Sequence, residues 1–308
     1  MRIVFQSDTG DPLAWSKALA DELPEAELRV WPDFGDPKEI DALLVWRIPP
    51  QAFALFPNLK CVHLLSAGSD QIAADTSIPA HLPVARLIEP GQKAGMIEYV
   101  LHAVLHYHRG FDVFARHQRE RRWEEMRRVP AGERRVGVLG LGALGGAIAE
   151  ALAAFGFDVA GWSRSEKSLA RVRTFHGFDG LEAFLARNDI LVGVLPLTSQ
   201  TRDFYDAAFF ARLPAASHFI NVGRGAQLVE ADLFAALRRG HLAGATLDVL
   251  REEPPPPDHP VWEAENLIMT PHIATSADPR SGARVVAENL RRVQNGLPPH
   301  HPVIRSQS

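Results

Sequence analysis

The chain has 308 residues, of which 46% are apolar and 23% are charged, and its formal net charge is −4. This composition is that of an ordinary globular protein long enough for two domains, and it lacks the basic excess typical of nucleic-acid-binding proteins. Six arginines lie between Arg116 and Arg128, but Glu120, Glu124 and Glu125 are interleaved with them. We interpret this run as a solvated helix face and expect no nucleic-acid partner.

The chain contains a single cysteine, Cys61, so no intramolecular disulfide can form. A low cysteine content is typical of proteins from reducing compartments. The first residues, MRIVFQSD, are typical of a strand rather than of a signal peptide, and no stretch is apolar over the length of a membrane span. We therefore expect a cytoplasmic protein without a membrane partner.

The first part of the chain alternates short apolar runs with polar turns and amphipathic segments. The apolar runs predict strands at residues 3–5, 43–46 and 62–65. A long amphipathic stretch follows from about Gly95 to Trp123, and it predicts a helix that is interrupted near Gly110.

The strand pattern then starts again at Arg135. Strands are predicted at 136–139, 159–162, 190–195, 218–222, 245–249 and 267–269, and helices at 143–155, 230–239 and 279–294. Alternation of strands and helices predicts an α/β fold with parallel sheets and crossover helices. Because no strand follows the last helix, we expect it to return to the first domain. The prediction is one discontinuous domain, residues 1–97 and 273–308, and one inserted domain, residues 98–272.

A glycine-rich turn joins the first strand and the first helix of the inserted domain. Gly140, Gly142 and Gly145 have the spacing of a dinucleotide-binding loop. In such loops the first glycine permits a tight turn, the second lets the backbone approach a pyrophosphate, and the third lets helix and strand pack closely. The helix N-terminus supplies N–H groups for the anion. A glycine-rich turn in an unrelated α/β protein is the alternative.

Three segments follow later strands of the same domain, where α/β folds build their sites. INVGRG contains Arg224, LDVLREEP contains Glu253, and TPHIA contains His272. Reduction of a keto acid needs a cation for the carboxylate and carbonyl, which arginine provides, and a proton donor, which histidine provides. A carboxylate beside the histidine favours the imidazolium. Taken singly, Arg224 is also compatible with a solvated loop residue, His272 with a residue that ends a strand, and Glu253 with surface charge.

These segments resemble those of the D-isomer-specific 2-hydroxyacid dehydrogenase family. The resemblance rests on the motifs GLGALGG, NDILVGVLPLTSQT, FINVGRGAQLVEADLFAALRRGHLAGATLDVLREEP and NLIMTPHIA, and it covers nearly the whole chain. It implies two Rossmann-like or flavodoxin-like domains, with the cofactor domain inserted in a discontinuous substrate domain. GWSRSEKS and LVWRIPP resemble segments of the shorter bacterial glyoxylate/hydroxypyruvate reductases within the family.

The resemblance also implies roles for individual residues. It places the catalytic arginine, glutamate and acid/base histidine at Arg224, Glu253 and His272, and the carboxamide-binding aspartate at Asp248. LLSAGSD resembles the family's substrate loop, whose backbone N–H groups near Ala67 and Gly68 would hold the substrate carboxylate. Further cofactor contacts are expected at Leu144, Leu195, Pro196, Val222 and Gly223. Family members pair through the long helices that open the cofactor domain, which implies a homodimer.

The residues after the second strand of the cofactor domain predict the choice of nicotinamide cofactor. NAD-preferring sites place an acidic residue there for the ribose 2′-hydroxyl. This chain has Ser163, Arg164 and Ser165 instead, with Lys167 close behind and no acid before Glu166. A serine hydroxyl accommodates a 2′-phosphate, and arginine and lysine can hold it with charge-assisted hydrogen bonds, so we expect NADP(H) to be preferred, with NAD(H) possible. Stacking of Arg164 on adenine, or its exposure to solvent, is the alternative.

Substrate size is predicted from LVWRIPP. Trp46 and Arg47 would lie at the strand ends of the first domain, where an indole narrows a pocket and a second cation suits a short polar acid. We therefore expect glyoxylate and hydroxypyruvate to be better substrates than aromatic keto acids. Trp46 could instead belong to the core, since tryptophan is usually mostly buried.

Two other functions are compatible with the same sequence. One is a non-catalytic, nucleotide-sensing protein of the corepressor type, and the other is oxidation of formate or phosphite on the same scaffold. His102 and His106 share a helix face, but two ligands rarely suffice for a metal site, and we expect none.

Overall fold

A computed structural model describes residues 1–7, 10–49, 51–69, 72, 75 and 77–303. Pro50 of LVWRIPP and Asp70 of LLSAGSD lie outside the described residues. The chain divides into two compact units, Met1–Gln92 with Ser276–Ser308, and Lys93–Thr275.

The first unit contains a five-stranded parallel sheet in the order β2-β1-β3-β4-β5. Its strands are β1 (Arg2–Gln6), β2 (Glu27–Val30), β3 (Ala42–Val45), β4 (Cys61–Leu64) and β5 (Val84–Ala85). Its helices include α1 (Pro12–Glu22), α2 (Ala52–Leu55) and the C-terminal helix, Pro279–Gln294. Ile3 and Phe5 belong to one core cluster and Val4 to another, so both faces of the sheet are buried.

The second unit opens with α3 (Pro90–His108, which starts in the first unit) and α4 (Phe111–Arg119). Its strands are β6 (Arg135–Leu139), β7 (Asp158–Ser163), β8 (Arg173–His176), β9 (Ile190–Gly193), β10 (Ser217–Asn221), β11 (Leu242–Leu247) and β12 (Leu267–Met269). Its later helices are α5 (Ala143–Phe155), α6 (Gly177–Leu185), α7 (Ala207–Ala211) and α8 (Glu230–Arg238), so the C-terminal helix is α9. The seven strands are parallel, in the order β12-β11-β10-β9-β6-β7-β8.

This strand order positions the functional segments. The chain moves from β6 outward to β7 and β8, and then crosses to β9 on the other side of β6. A crevice at such a reversal, at the carboxyl ends of the strands, is where open α/β sheets bind ligands. The prediction of two α/β domains with parallel sheets is confirmed.

The helix predicted from Gly95 to Trp123 is broken as expected but is shorter than expected. Gly110 adopts φ +69° between α3 and α4, a conformation that glycine adopts without steric cost. Helix α4 ends at Arg119, and Trp123 beyond it is fully exposed. The arginine-rich run is solvated, but most of it, from Glu120 to Arg128, is not helical.

Three strands were absent from the sequence-based prediction: β2, β5 and β8. All three are at sheet edges, and β2 and β8 are only partly buried and carry charged residues. Their sequences therefore lack the apolar run of an inner strand, and β5 is only two residues long.

Candidate active site

The glycine loop between β6 and α5 has the shape that a dinucleotide requires. Gly140 has φ +110°, and a Cβ on it would lie 2.8 Å from Val194 O. A Cβ on Gly145 would lie only 1.8 Å from Gly140 O, whereas the space around the corresponding position of Gly142 is open to 4 Å. Gly142 is also the N-cap of α5, and Leu144 lies in the first turn. The loop thus offers open space at a helix N-terminus that fits a pyrophosphate.

The end of β7 presents two cations. Arg164 and Lys167 are exposed, and neither forms an ion pair within the part of the chain that the structure describes. Ser163 is buried, and its hydroxyl donates a hydrogen bond to Ser165 O at 2.6 Å. The Ser163 hydroxyl is therefore engaged within the loop, and its contact with a 2′-phosphate stays a prediction. The exposed side chains of Arg164, Ser165 and Lys167 are suited to hold that phosphate.

Glu253 and His272 form a hydrogen-bonded pair. His272 Nδ1 lies 2.8 Å from Glu253 Oε2, and the side chains are 30% and 34% exposed, so a small molecule can reach them. Because an ionised carboxylate only accepts hydrogen bonds, Nδ1 carries the proton of this bond. Nε2 is then the ring nitrogen that can exchange a proton with a substrate.

The Glu253 carboxylate is stabilised in its ionised form. Burial raises the pKa of Glu253, but hydrogen bonds from His272 and Leu250 N–H, together with the charges of His272 and Arg224, outweigh burial and hold this pKa below its ordinary value. The Leu250 amide donates to Glu253 Oε1 at 2.9 Å. Glu253 is therefore anionic at neutral pH and can orient the imidazole.

Asp248 holds the loop that carries His272. Its Oδ1 accepts from Thr270 Oγ1 at 2.7 Å and Ile273 N at 2.8 Å, and its Oδ2 accepts from Ala274 N at 2.8 Å. His272 N donates to Asp248 O at 2.9 Å. These bonds stabilise the positive φ of His272, +55°, which costs energy in a non-glycine residue. Sequence reasoning missed this anchoring role, and the carboxamide contact of Asp248 stays a prediction.

Arg224 lies between two glycines after β10, and close packing brings its loop to that of Glu253. A Cβ on Gly225 would lie 1.9 Å from the carbonyl group of Leu250, so only glycine permits this approach. Arg224 Nη1 donates to Gly223 O at 2.8 Å. The structure thus brings together the three side chains predicted to be catalytic, because parallel strands end at one edge of the sheet.

The predicted cofactor residues of the neighbouring strand ends also lie at this edge. Leu195 and Pro196 follow β9, and Val222 and Gly223 follow β10. Val222 N donates to Gly193 O at 3.1 Å, which extends the pairing of the two strands. One residue that sequence reasoning missed, Gln227, joins these two loops. Its only signal in the sequence is a polar residue within the otherwise apolar run AQLV.

A family profile described as D-isomer specific 2-hydroxyacid dehydrogenase, NAD binding domain, matches residues 101–274. The chain belongs to this family. The resemblance inferred from the motifs is confirmed, and the dehydrogenase is an oxidoreductase with a nicotinamide cofactor.

The dehydrogenase is similar to curated proteins over nearly its whole length. It is 36% identical to glyoxylate/hydroxypyruvate reductase A of Photorhabdus laumondii over 301 residues, covering 96% of each chain. It is 38% identical to the protein of the same name from Serratia proteamaculans over 304 residues, covering 97% of each chain.

Two solved structures resemble the dehydrogenase closely. A D-isomer specific 2-hydroxyacid dehydrogenase from Xanthobacter autotrophicus Py2, in complex with NADPH and MES, is 44% identical with a TM-score of 0.94. An NADPH-dependent glyoxylate/hydroxypyruvate reductase from Sinorhizobium meliloti, in complex with NADP and sulfate, is 36% identical with a TM-score of 0.91. Each alignment covers 98% of both chains.

The first unit of the dehydrogenase contains a loop suited to an anion. Ser66 Oγ donates to Gly68 O at 2.7 Å, and Arg86 Nη1 donates to Ala67 O at 3.3 Å. The N–H of a peptide group points opposite to its carbonyl, so these bonds orient the amides of Gly68 and Ser69 away from the donors. Within the described residues, the amides of Ala67, Gly68 and Ser69 have no hydrogen-bond acceptor.

Trp46 and Arg47 of the dehydrogenase follow β3 in the same unit. Trp46 is partly buried and packs against the core cluster that contains Trp15. This packing agrees in part with the alternative that Trp46 belongs to the core. The Arg47 side chain belongs to an exposed residue, and the backbone N–H of Arg47 donates to Gln6 Oε1 at 3.2 Å.

The histidine pair and the cysteine noted in the sequence can be placed in the structure. The ring centroids of His102 and His106 are 6.4 Å apart, and no group of three potential metal ligands occurs among the residues described. Across the same residues, no helix is long and apolar enough to cross a membrane. Cys61 is a free thiol, and burial raises its pKa to about 12, so it is unreactive.

Proposed function

We propose that this dehydrogenase uses NADPH to reduce glyoxylate and hydroxypyruvate to the corresponding 2-hydroxy acids, with the D configuration where the new carbinol carbon is chiral. The observation that carries the proposal is the 2.8 Å hydrogen bond between His272 and Glu253, beside Arg224, at the carboxyl edge of the nucleotide-binding sheet. Relatives aligned over 96–97% of the chain bear the name glyoxylate/hydroxypyruvate reductase A, which supports this choice of substrate.

The side chains divide the chemistry among them. Arg224 is assigned to the substrate carboxylate and carbonyl, which its fixed charge holds and polarises. The glycine loop and the end of β7 would hold the reduced nicotinamide nucleotide, which would provide the hydride for the carbonyl carbon. His272 donates the proton from Nε2 to the carbonyl oxygen, so that the C=O group gains one hydride and one proton and becomes CH–OH. Glu253 stabilises the imidazolium before the transfer and orients the ring throughout.

The substrate contacts in the first unit are proposed on chemical grounds. The unengaged amides of Ala67 and Gly68 are hydrogen-bond donors suited to a carboxylate. The indole of Trp46 and the charge of Arg47 are assigned to the selection of short polar acids.

NADPH is proposed as the preferred cofactor because the end of β7 presents Arg164 and Lys167, and no acidic side chain occupies the position of the ribose-binding acid. The similar proteins from Xanthobacter autotrophicus and Sinorhizobium meliloti were crystallised with NADPH and NADP. Binding of NADH without the 2′-phosphate is expected to be weaker.

An absorbance assay at the reduced-nicotinamide band tests the proposal. Glyoxylate, hydroxypyruvate, pyruvate and phenylpyruvate are supplied with NADPH or NADH, and formate and phosphite with the oxidised cofactors. We expect the highest kcat/KM for glyoxylate or hydroxypyruvate with NADPH. A higher value for phenylpyruvate would contradict the proposed selectivity, and turnover of formate or phosphite alone would replace the proposed reaction. Binding of NADPH without turnover of any compound would favour a nucleotide sensor.

The organisation of the protein completes the proposal. We assign residues 98–272 to cofactor binding, and residues 1–97 and 273–308 to substrate binding. A homodimer that pairs through the long helices α3 and α4 is proposed, and light scattering of the purified protein tests it. The single cysteine supports a reducing, cytoplasmic location, which fractionation of cells that produce the protein would test.

A further inference from the structure

Gln227 is a fully buried amide that makes three hydrogen bonds to main-chain atoms. It is 0% exposed and ends the short 3-10 helix Gly225–Gln227. Its Oε1 accepts from Arg224 N at 2.9 Å, and its Nε2 donates to Leu195 O and Pro196 O, both at 3.1 Å. All three hydrogen bonds of this side chain therefore go to two loops, one after β9 and one after β10.

The backbone pairing that leads into these two loops ends just beyond the last paired residues of their strands. The ladder between β9 and β10 ends with Gly193 opposite Asn221, followed by the hydrogen bond from Val222 N to Gly193 O. Past this point, the Gln227 side chain spans the gap between the backbone at Leu195 and the backbone at Arg224.

The surrounding residues accommodate this bridge. A Cβ on Gly223 would lie 2.6 Å from Gln227 Oε1 and 3.1 Å from Leu195 O, so a larger residue at this position would have to displace the amide oxygen of Gln227. Asn221 supports the same segment, because its Oδ1 accepts from Gly223 N at 3.1 Å and its Nδ2 donates to Arg224 O at 3.4 Å. The backbone of Arg224 is thereby held at both its N–H and its carbonyl.

We propose that Gln227 is a positioning residue that sets the distance between the guanidinium of Arg224 and the cofactor loop at Leu195 and Pro196. This inference rests on the proposed function, in which Arg224 holds the substrate. Hydride transfer requires the substrate and the nicotinamide to be aligned closely, and a misplacement of about 1 Å can cost on the order of 100-fold in rate. A single amide that bonds to both loops couples the two positions.

The chemistry of the site selects an amide over similar side chains. A glutamate could accept from Arg224 N but would place a negative oxygen against two carbonyl oxygens. A methionine of similar length could fill the volume but would leave the Arg224 amide and both carbonyls without this partner. The two substitutions therefore separate the hydrogen bond to Arg224 N, which glutamate can keep, from the hydrogen bonds to Leu195 O and Pro196 O.

The experiment compares Gln227→Met and Gln227→Glu with a control, Asn188→Leu. Asn188 is also a fully buried amide of the second unit, but it lies at the amino end of β9 and donates to Phe184 O at 2.6 Å. The measurements are kcat and KM for glyoxylate, the NADPH dissociation constant by fluorescence, and the melting temperature of each protein.

We expect Gln227→Met to lower kcat by about 10- to 100-fold and to weaken both glyoxylate and NADPH binding. Gln227→Glu should weaken NADPH binding while it raises the KM for glyoxylate less than Gln227→Met does, because the contact with Arg224 remains. Asn188→Leu should lower the melting temperature and leave kcat, KM and the NADPH dissociation constant unchanged.

Unchanged kinetics and NADPH binding in a folded Gln227→Met variant would overturn the proposal. Equal kinetic losses in Asn188→Leu would also overturn it, because they would reveal a general effect of stability. If Gln227→Met does not fold, Gln227→Glu tests the proposal, because NADPH binding should then be weakened more than glyoxylate binding. An inactive wild-type protein would reject the proposed function, whereas NADPH binding by Gln227→Glu relative to Asn188→Leu would still test the bridge.

Discussion

We expect His63 to make the stability of the first unit sensitive to mild acid. The imidazole is fully buried in β4, with Nδ1 3.0 Å from Leu64 O and Nε2 3.0 Å from Asn289 Nδ2. The amide of Asn289 donates to Nε2, so the ring is neutral and protonated at Nδ1. A second proton would oppose the Asn289 donor in a site without water access. Burial accordingly lowers the pKa of His63 from 6.5 to about 4.

The lowered pKa of His63 determines how the free energy of unfolding changes with pH. Between about pH 6.5 and pH 4 the unfolded chain binds a proton on this ring and the folded chain does not, so the free energy of unfolding falls as the pH falls through that window. One pKa unit corresponds to about 1.4 kcal/mol, and the change from 6.5 to about 4 corresponds to about 3 kcal/mol. Above pH 6.5 the ring makes no pH-dependent contribution.

The test replaces His63 by glutamine, whose amide can donate to Leu64 O and accept from Asn289 but does not titrate. Urea unfolding of wild type and His63→Gln is followed by tryptophan fluorescence from pH 7.5 to 4.5, with the exposed His81→Gln as control. We expect the stability difference between wild type and His63→Gln to change progressively in favour of the variant below pH 6.5. A difference that stays constant over this range would refute the reasoning.

Four further substitutions test the site. His272→Ala should lower the rate of reduction by about 10²–10⁴-fold while NADPH binding survives, and near-normal turnover at neutral pH would reject His272 as the proton donor. Glu253→Gln removes the charge that favours the imidazolium, so the decline of the pH–rate profile of reduction on the alkaline side should move to lower pH; an unmoved profile would count against the pairing. Arg164→Ala should raise the KM for NADPH by about tenfold, as expected for loss of a charge-assisted hydrogen bond, and leave that for NADH unchanged; equal losses with both cofactors would mean that Arg164 does not bind the 2′-phosphate. Gly145→Ala should abolish NADPH binding in calorimetry, because the new Cβ would lie 1.8 Å from Gly140 O, and retained affinity would contradict the assignment of the phosphate loop.

Local signals in the sequence determined several elements of this protein. Helix α5 has the predicted bounds, because the glycine loop precedes it and Gly156, at φ +111°, ends it. Helix α9 also has the predicted bounds, since Asp278 caps it and Pro279 is its first residue. The strand-end positions of Arg224, Glu253 and His272 followed from the same kind of signal, because parallel strands place their carboxyl ends together.

The strands β2 and β8 depended on the tertiary structure. Each is stabilised by hydrogen bonds to an inner neighbour, β1 and β7 respectively, rather than by apolar residues of its own. A partly buried edge strand with charged residues has no distinct local pattern, so its presence is decided by the neighbouring strand.

The tertiary structure also decided how the functional side chains are held. Asp248 bonds to residues 22 to 26 positions away, and Gln227 bonds to carbonyls 31 and 32 positions away. The sequence by itself determined which chemical groups follow each strand, because turn, cap and strand signals are local. It could not determine which buried polar group satisfies which backbone atom, because that pairing exists only once the sheet has brought distant loops within hydrogen-bonding distance.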